Sequence, residues 1–183
     1  MKRFTASVLA LGCLLAAPAW AALKPGDAAP DFTAKAAVGG EEFTFSLAKA
    51  LKDGPVVLYF FPKAFTKGCT AEAHEFAEAA AKFKEAGATL IGMSSDDIGT
   101  LHKFSEQECS AKFPVAADPD LTVIKSYDNT WKIPSTGATV ANRTSFVIGS
   151  DGKIVYAYTE LNPEKHVANT LAVVNDLKAK AKK

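Results

Sequence analysis

An uninterrupted apolar run from Pro55 to Phe61 is the feature that most limits how this chain can fold. The run is short and rich in β-branched and aromatic side chains, which is typical of a strand buried on both faces of a parallel or mixed sheet. Such a strand is covered by helices. The sequence therefore predicts an α/β domain built around this strand.

Helical and strand patterns alternate along the rest of the chain. Residues 71–86 are rich in Ala, Glu and Lys and predict an amphipathic helix, and Gly149 to Gly152 forms a turn signal between two apolar runs, which predicts a hairpin. The order of elements favours a mixed central sheet flanked by helices. The other predicted elements are a hairpin within 32–45, strands at 89–93 and 113–116, and helices at about 98–107, 121–127 and 165–180. An N-cap for the helix at about 98–107 is expected from residues 94–96.

Composition and charge exclude several classes of protein. The net charge is +1 over 183 residues, and the body of the chain has no Lys/Arg cluster, so no basic surface for binding nucleic acid is expected. The 12 Phe residues can build a core without metal or disulfide support, so cysteine chemistry is expected to serve function. Neither a Cys/His cluster with metal-ligand spacing nor a phosphate-binding or dinucleotide motif is present, so no metal or cofactor is expected.

The N-terminal segment has the pattern of a secretory signal peptide. Lys2 and Arg3 precede an apolar run at 8–17, and a small-x-small site ends at Ala21. The apolar run is shorter than the ~20 residues of a transmembrane helix, so no membrane span is expected. We therefore expect cleavage after Ala21 and a periplasmic or secreted protein.

Cleavage divides the chain into a signal peptide, 1–21, and a single domain, 22–183. One alternative is lipoprotein processing at Cys13, although Ala10 stands where a bulky aliphatic residue is usual. Removal of the signal leaves Cys69 and Cys109, an even pair that an oxidising compartment can convert to a disulfide.

Cys69 lies between the predicted buried strand and the first turn of the following helix. Free backbone N–H groups and the helix dipole favour a thiolate at such a position. The alternative is a small buried apolar side chain, which would be expected inside a strand or on the apolar face of the helix. The position beside Gly68 favours a nucleophile.

The residues around Cys69 resemble the active-site signature of the peroxiredoxins, Pro62-x-x-x-Thr66-x-x-Cys69 directly after a hydrophobic strand. Within this AhpC/TSA family, Thr70-Ala-Glu72-Ala, the segment 92–96 and Arg143 resemble the bacterioferritin-comigratory, or PrxQ, subgroup. The resemblance implies a thioredoxin-like fold and thiol-dependent reduction of hydrogen peroxide and organic hydroperoxides.

The resemblance also implies a role for each residue of the signature. Cys69 is the expected peroxidatic cysteine, whose thiolate attacks the O–O bond and becomes a sulfenic acid. The Thr66 hydroxyl is expected to bond the sulfur and the peroxide, and Pro62 to shield the pocket. Arg143 is expected to supply a fixed positive charge that favours the thiolate. Taken singly, these residues could also be a helix cap, a loop proline and a surface arginine.

Many members of the subgroup carry the resolving cysteine five positions after the first cysteine, but this chain has His74 there. Cys109, the other cysteine of the mature domain, is therefore the expected resolving cysteine. The alternative is a buried spectator. A disulfide needs Cα atoms within about 7 Å. Because Cys69 and Cys109 belong to separate predicted helices, we expect local unwinding around both cysteines during turnover. His74, His102 and His166 are interpreted as surface residues.

Two other functions compete with a peroxidase. A thioredoxin-like thiol–disulfide oxidoreductase needs a second cysteine three positions after the first, where this chain has Glu72. A non-catalytic thioredoxin-like binding module would not need Thr66, Cys69 and Arg143 together. A peroxidase of this kind implies a thioredoxin-like or glutaredoxin-like reductant, or glutathione, and a monomer or weak dimer.

Overall fold

The computed structural model describes residues 23–181. The strands are β1 (Thr33–Val38), β2 (Glu41–Ser46), β3 (Val56–Phe60), β4 (Thr89–Ser94), β5 (Val115–Ala117), β6 (Thr130–Lys132), β7 (Thr139–Ala141), β8 (Thr144–Ile148) and β9 (Ile154–Thr159). The central sheet has seven strands in the order β2-β1-β5-β4-β3-β8-β9, in which β3, β4 and β5 are mutually parallel and the other neighbours are antiparallel. The helices are α1 (Leu47–Ala50), α2 (Lys67–Glu85), α3 (Ile98–Gln107), α4 (Thr122–Ser126) and α5 (His166–Ala181).

Strand β3 lies inside the sheet, between β4 and β8, and all five of its residues are buried. Because successive side chains point to opposite faces, the strand divides the interior into two clusters. Tyr59 belongs to the cluster that contains α2, α3 and α5, whereas Leu58 and Phe60 belong to the cluster that contains α1 and α4. The predicted mixed sheet flanked by helices is confirmed, and the apolar run at 55–61 contains β3, one of its interior strands.

Several element boundaries differ from the prediction. Helix α3 has the predicted bounds, but α2 begins at Lys67 rather than at residue 71, which places Cys69 inside its first turn. The two-stranded sheet of β6 and β7 and the short helix α1 were missed, because elements of three or four residues show no periodicity. Within 23–181, no helix is both long enough and apolar enough to cross a membrane. The predicted signal peptide and Cys13 lie outside the described residues.

Candidate active site

Cys69 is the third residue of α2 and is only 1% exposed. The backbone amides of a first helical turn have no intrahelical acceptor, and Thr70 is the first residue of α2 seen to donate back, to the Thr66 carbonyl at 2.9 Å. The sulfur therefore lies at the positive end of a 19-residue helix, in an environment that stabilises an anion.

Asp96 holds the loop that leads into this helix. Its Oδ2 accepts the Ala64 amide at 2.8 Å and the Ser94 hydroxyl at 2.9 Å, and Oδ1 lies 3.8 Å from Nζ of Lys63. The expected N-cap from 94–96 is therefore wrong: Asp97 caps α3 by accepting the Thr100 amide, and Asp96 fixes the loop before Cys69.

Arg143, just before β8, reaches the Cys69 sulfur, with Nη2 at 3.3 Å from Sγ. Its Nε donates to the Leu161 carbonyl at 2.8 Å, which fixes the guanidinium plane. A Cβ on Gly68 would lie 3.1 Å from Nη2, so a glycine leaves the room that the guanidinium needs. The predicted pairing of a cysteine and an arginine at this place in the fold is present in the structure.

Glu72 is a member of the site that was not assigned a role from the sequence. It lies one turn after Cys69 and is fully buried, and its Oε2 accepts a hydrogen bond from Nη1 of Arg143. Burial raises the pKa of Glu72 to about 8, against the opposing effect of Arg143. A glutamate three positions after the cysteine on the same helix face was the signal that could have identified it.

Thr66 and Pro62 flank the loop before α2. The Thr66 hydroxyl donates to the Lys63 carbonyl at 2.9 Å, which leaves its oxygen lone pairs free to accept, and no bond between this hydroxyl and the Cys69 sulfur is present within 23–181. Pro62 is buried two residues after the end of β3. Phe65 adopts φ of 62°, a rare conformation for a bulky residue, and its ring packs edge-on against Phe104 at 5.2 Å.

Cys109 lies two residues beyond α3, is fully buried and belongs to the same cluster as Cys69; both thiols are free. Burial, followed by the nearby Glu108 carboxylate, raises the pKa of the Cys109 thiol well above its usual range. The next two residues, Ser110 and Ala111, both have positive φ, at 50° and 54°. In this conformation Cys109 is therefore an enclosed, protonated thiol beside a strained segment.

The histidines differ in their surroundings. His74 is exposed, as expected, and its Nε2 lies 2.7 Å from Oε2 of Glu108. His102 is half-buried beside the Gly40 carbonyl. The surface interpretation of His166 is wrong: the residue is fully buried, and its ring contacts the Ser145 hydroxyl inside the sheet. Among residues 23–181, no three His, Cys, Asp or Glu side chains cluster closely enough to hold a metal ion.

Comparison with known proteins identifies the family. Residues 25–157 match the AhpC/TSA family. The chloroplastic peroxiredoxin Q of Triticum aestivum is 36% identical over 154 residues, which cover 83% of this chain and 67% of that protein. The crystal structure of peroxidoxin BcpB from Mycobacterium tuberculosis superposes with a TM-score of 0.75 at 31% identity and covers 84% of this chain and 97% of its own.

A PrxQ mutant from Xylella fastidiosa superposes with the same TM-score of 0.75, at 25% identity over 88% of this chain and 99% of its own. The site and the fold therefore define a peroxidase that acts through a thiol. The chain belongs to the AhpC/TSA family of peroxiredoxins and resembles its PrxQ branch. The expected thioredoxin-like fold is confirmed by these structures.

Proposed function

We propose that this peroxiredoxin reduces hydrogen peroxide and organic hydroperoxides at Cys69. The proposal rests on one contact: Sγ of Cys69, in the first turn of α2, lies 3.3 Å from Nη2 of the buried Arg143. The thiolate attacks one peroxide oxygen, a new S–O bond forms and the O–O bond breaks. The other oxygen leaves with the bonding electrons and a proton as water or an alcohol, and Cys69 becomes a sulfenic acid.

During this attack, negative charge passes from the sulfur to the leaving oxygen. Arg143 and the first-turn amides of α2 supply donors that are fixed before the reaction, so little reorganisation is needed. The Thr66 oxygen can accept a hydrogen bond from the peroxide O–H while its own hydroxyl donates to the Lys63 carbonyl. These groups support a role in aligning the peroxide with the sulfur.

Cys109 is proposed to resolve the sulfenic acid. Its thiol displaces the sulfenic oxygen as water, and an intramolecular disulfide forms between Cys109 and Cys69. No disulfide joins the two buried thiols, at 0% and 1% exposure, and the segment after α3 is proposed to unwind as they come together. The left-handed backbone of Ser110 and Ala111 supports this step, since unwinding releases the local strain.

A disulfide product requires two electrons from a thiol reductant before the next cycle. A thioredoxin-like or glutaredoxin-like protein, or glutathione, supplies them by thiol–disulfide exchange. This proposal rests on the chemistry of the disulfide and on membership in the family.

Peroxide consumption supported by dithiothreitol tests the proposal. Wild-type protein is expected to consume peroxide over many turnovers, and Cys69→Ser to consume none. Cys109→Ser is expected to retain turnover with dithiothreitol, which can reduce a sulfenic acid directly, but to lose it with a thioredoxin-like reductant. Absence of turnover in the wild type would favour a binding module, and disulfide reduction without peroxide consumption would favour an oxidoreductase.

We also propose export through cleavage after Ala21, on the strength of the basic, apolar and small-residue pattern of the segment 1–21. Expression of the full chain in a bacterium, followed by mass measurement, tests this proposal. A mature protein that begins at Ala22 is the expected result. An uncleaved chain, or a lipid on Cys13, would contradict it.

A further inference from the structure

One oxygen of the Glu72 carboxyl faces a histidine rather than Arg143. Oε1 of Glu72 lies 3.7 Å from Nδ1 of His166, and both side chains are 0% exposed. This oxygen is buried without a hydrogen-bond partner among the residues that the structure describes. Buried carboxylate oxygens are normally satisfied, so an orphaned one requires an explanation.

The hydrogen bonds of His166 restrict where its protons lie. Nε2 is 2.9 Å from the Glu160 carbonyl, which can only accept, so Nε2 carries a hydrogen. Nδ1 is 2.8 Å from the Ser145 hydroxyl and 3.7 Å from Oε1 of Glu72. A proton in this part of the site therefore has two places to reside, Oε1 of Glu72 or Nδ1 of His166.

The charges of the site require one such proton. A Cys69 thiolate and an ionised Glu72 together place two negative charges against the single positive charge of Arg143. Burying an unbalanced charge is costly, and one proton on either Glu72 or His166 makes the group neutral. With the proton on Glu72, the carboxyl does not neutralise the guanidinium; with the proton on His166, the imidazolium balances the carboxylate.

We propose that His166 is a positioning residue of the peroxidatic site, which shares one proton with Glu72 and so keeps the charge of Arg143 available to the Cys69 sulfur. The proposal rests on the proposed role of Cys69. Loss of the shared proton at alkaline pH leaves a carboxylate that competes for Arg143, and oxidation of Cys69 slows.

The pKa values of Glu72 and His166 are shifted in the directions that this arrangement requires. Burial raises the pKa of Glu72 to about 8, while burial and Arg143 lower the pKa of His166, so the proton resides mainly on Glu72 at neutral pH. The Glu160 carbonyl opposes the shift of His166. The titratable or charged groups that face the pair are Arg143 before β8, Tyr158 on β9, Glu160 after β9, Tyr59 on β3, and Cys69 and Glu75 on α2.

The rate of Cys69 oxidation by hydrogen peroxide, measured on the full-length protein from about pH 5.5 to about pH 9.5, tests the proposal. The wild-type rate is expected to fall on the alkaline side. His166→Gln removes the second site for the proton, so this fall should begin about one pH unit lower, with a rate about tenfold lower on the slope. Glu72→Gln, which mimics the protonated carboxyl, should abolish the alkaline fall.

Ser145→Ala provides a second variant in case His166→Gln does not fold. It removes the competing hydroxyl from Nδ1, so the proton should be held more firmly and the alkaline fall should move to higher pH. His102→Gln is the matched control, since His102 lies outside the site, and its profile should equal the wild type.

Profiles for His166→Gln and Ser145→Ala that superimpose on the wild type would overturn the proposal. So would rates that fall by one constant factor at every pH, which is the result of a purely structural role. If wild-type Cys69 is not oxidised at any pH, the proposed function itself fails, and this outcome is separate from the others.

Discussion

Arg143 and Cys69 are 74 residues apart in sequence, yet Nη2 of the arginine lies 3.3 Å from Sγ of the cysteine. The same guanidinium donates through Nη1 to Glu72 and through Nε to the Leu161 carbonyl. All three nitrogens are therefore in use, and the planar group cannot turn away from the sulfur. A fixed cation at this place favours the thiolate and stabilises the charge that leaves with the peroxide oxygen.

Replacement of Arg143 should slow the reaction of Cys69 with peroxide. Lysine carries one compact charge and cannot form the three directed contacts, so Arg143→Lys is expected to lower the oxidation rate constant by about 100-fold. Stopped-flow measurement with hydrogen peroxide checks this value. Arg143→Met, which keeps much of the length but no charge, should be slower still, and a wild-type rate in that variant would contradict the role.

Tyr59 carries a buried hydroxyl with no hydrogen-bond partner among residues 23–181. A buried donor without a partner costs stability, so Tyr59→Phe is expected to raise the free energy of unfolding by about 1–2 kcal/mol. Urea denaturation measures the change. Tyr127→Phe is the matched variant: it loses the 2.8 Å bond to the Pro30 carbonyl and should be about 1 kcal/mol less stable than the wild type. If both variants lose the same free energy of unfolding, the Tyr59 hydroxyl does not destabilise the protein.

Glu72 should make the stability of the protein depend on pH. Burial raises its folded-state pKa from the usual 4.5 to about 8, so the folded protein binds more protons than the unfolded chain between these values. The contribution is fully present below the lower value and is lost as pH rises through the upper one. Within the window, stability should fall by up to about 1.4 kcal/mol per pH unit.

Glu72→Gln cannot titrate and should lack this decline, so the difference in unfolding free energy between the variant and the wild type should change with pH. Urea denaturation at several pH values measures it. Glu78→Gln removes an exposed carboxylate from the same helix and serves as the control. If Glu72→Gln differs from the wild type by a constant amount across the window, the raised pKa of Glu72 is incorrect.

His74 should restrain the step that brings the two cysteines together. Its contact of 2.7 Å with Glu108 joins α2 to the residue before Cys109. Partly exposed pairs are worth about 0.2–1 kcal/mol, so His74→Ala is expected to speed disulfide formation by about 1.5- to 5-fold. Rapid mixing with peroxide and trapping of the sulfenic acid measures the rate. Lys82→Ala, an exposed change further along α2, should leave it unchanged, and a slower His74→Ala would argue against a restraining contact.

Local sequence signals identified the frame of the site. The apolar run before Pro62 determined the position of β3, and the loop chemistry after it placed Cys69 at a helix N-terminus, because both are properties of neighbouring residues. Helix α2 starts four residues earlier than its apolar periodicity indicated, since a first helical turn is defined by backbone geometry rather than by side-chain pattern.

The burial of Glu72 and His166 could not be read in the same way. Both are polar positions in helices, which usually face solvent, and their burial accompanies contacts with Arg143 and Ser145, which are remote in sequence. Ser145 was the available signal, because a polar residue inside the apolar strand at 144–148 needs an internal partner. Identification of that partner as His166 required the fold.

Mass spectrometry after one equivalent of hydrogen peroxide is the decisive measurement for a two-cysteine peroxidase. We expect a loss of two hydrogens and a peptide crosslinked between Cys69 and Cys109, both absent from the Cys69→Ser and Cys109→Ser proteins. A stable sulfenic acid on wild-type Cys69 without a crosslink would contradict the resolving role of Cys109. An unmodified Cys69 would contradict the peroxidatic site itself.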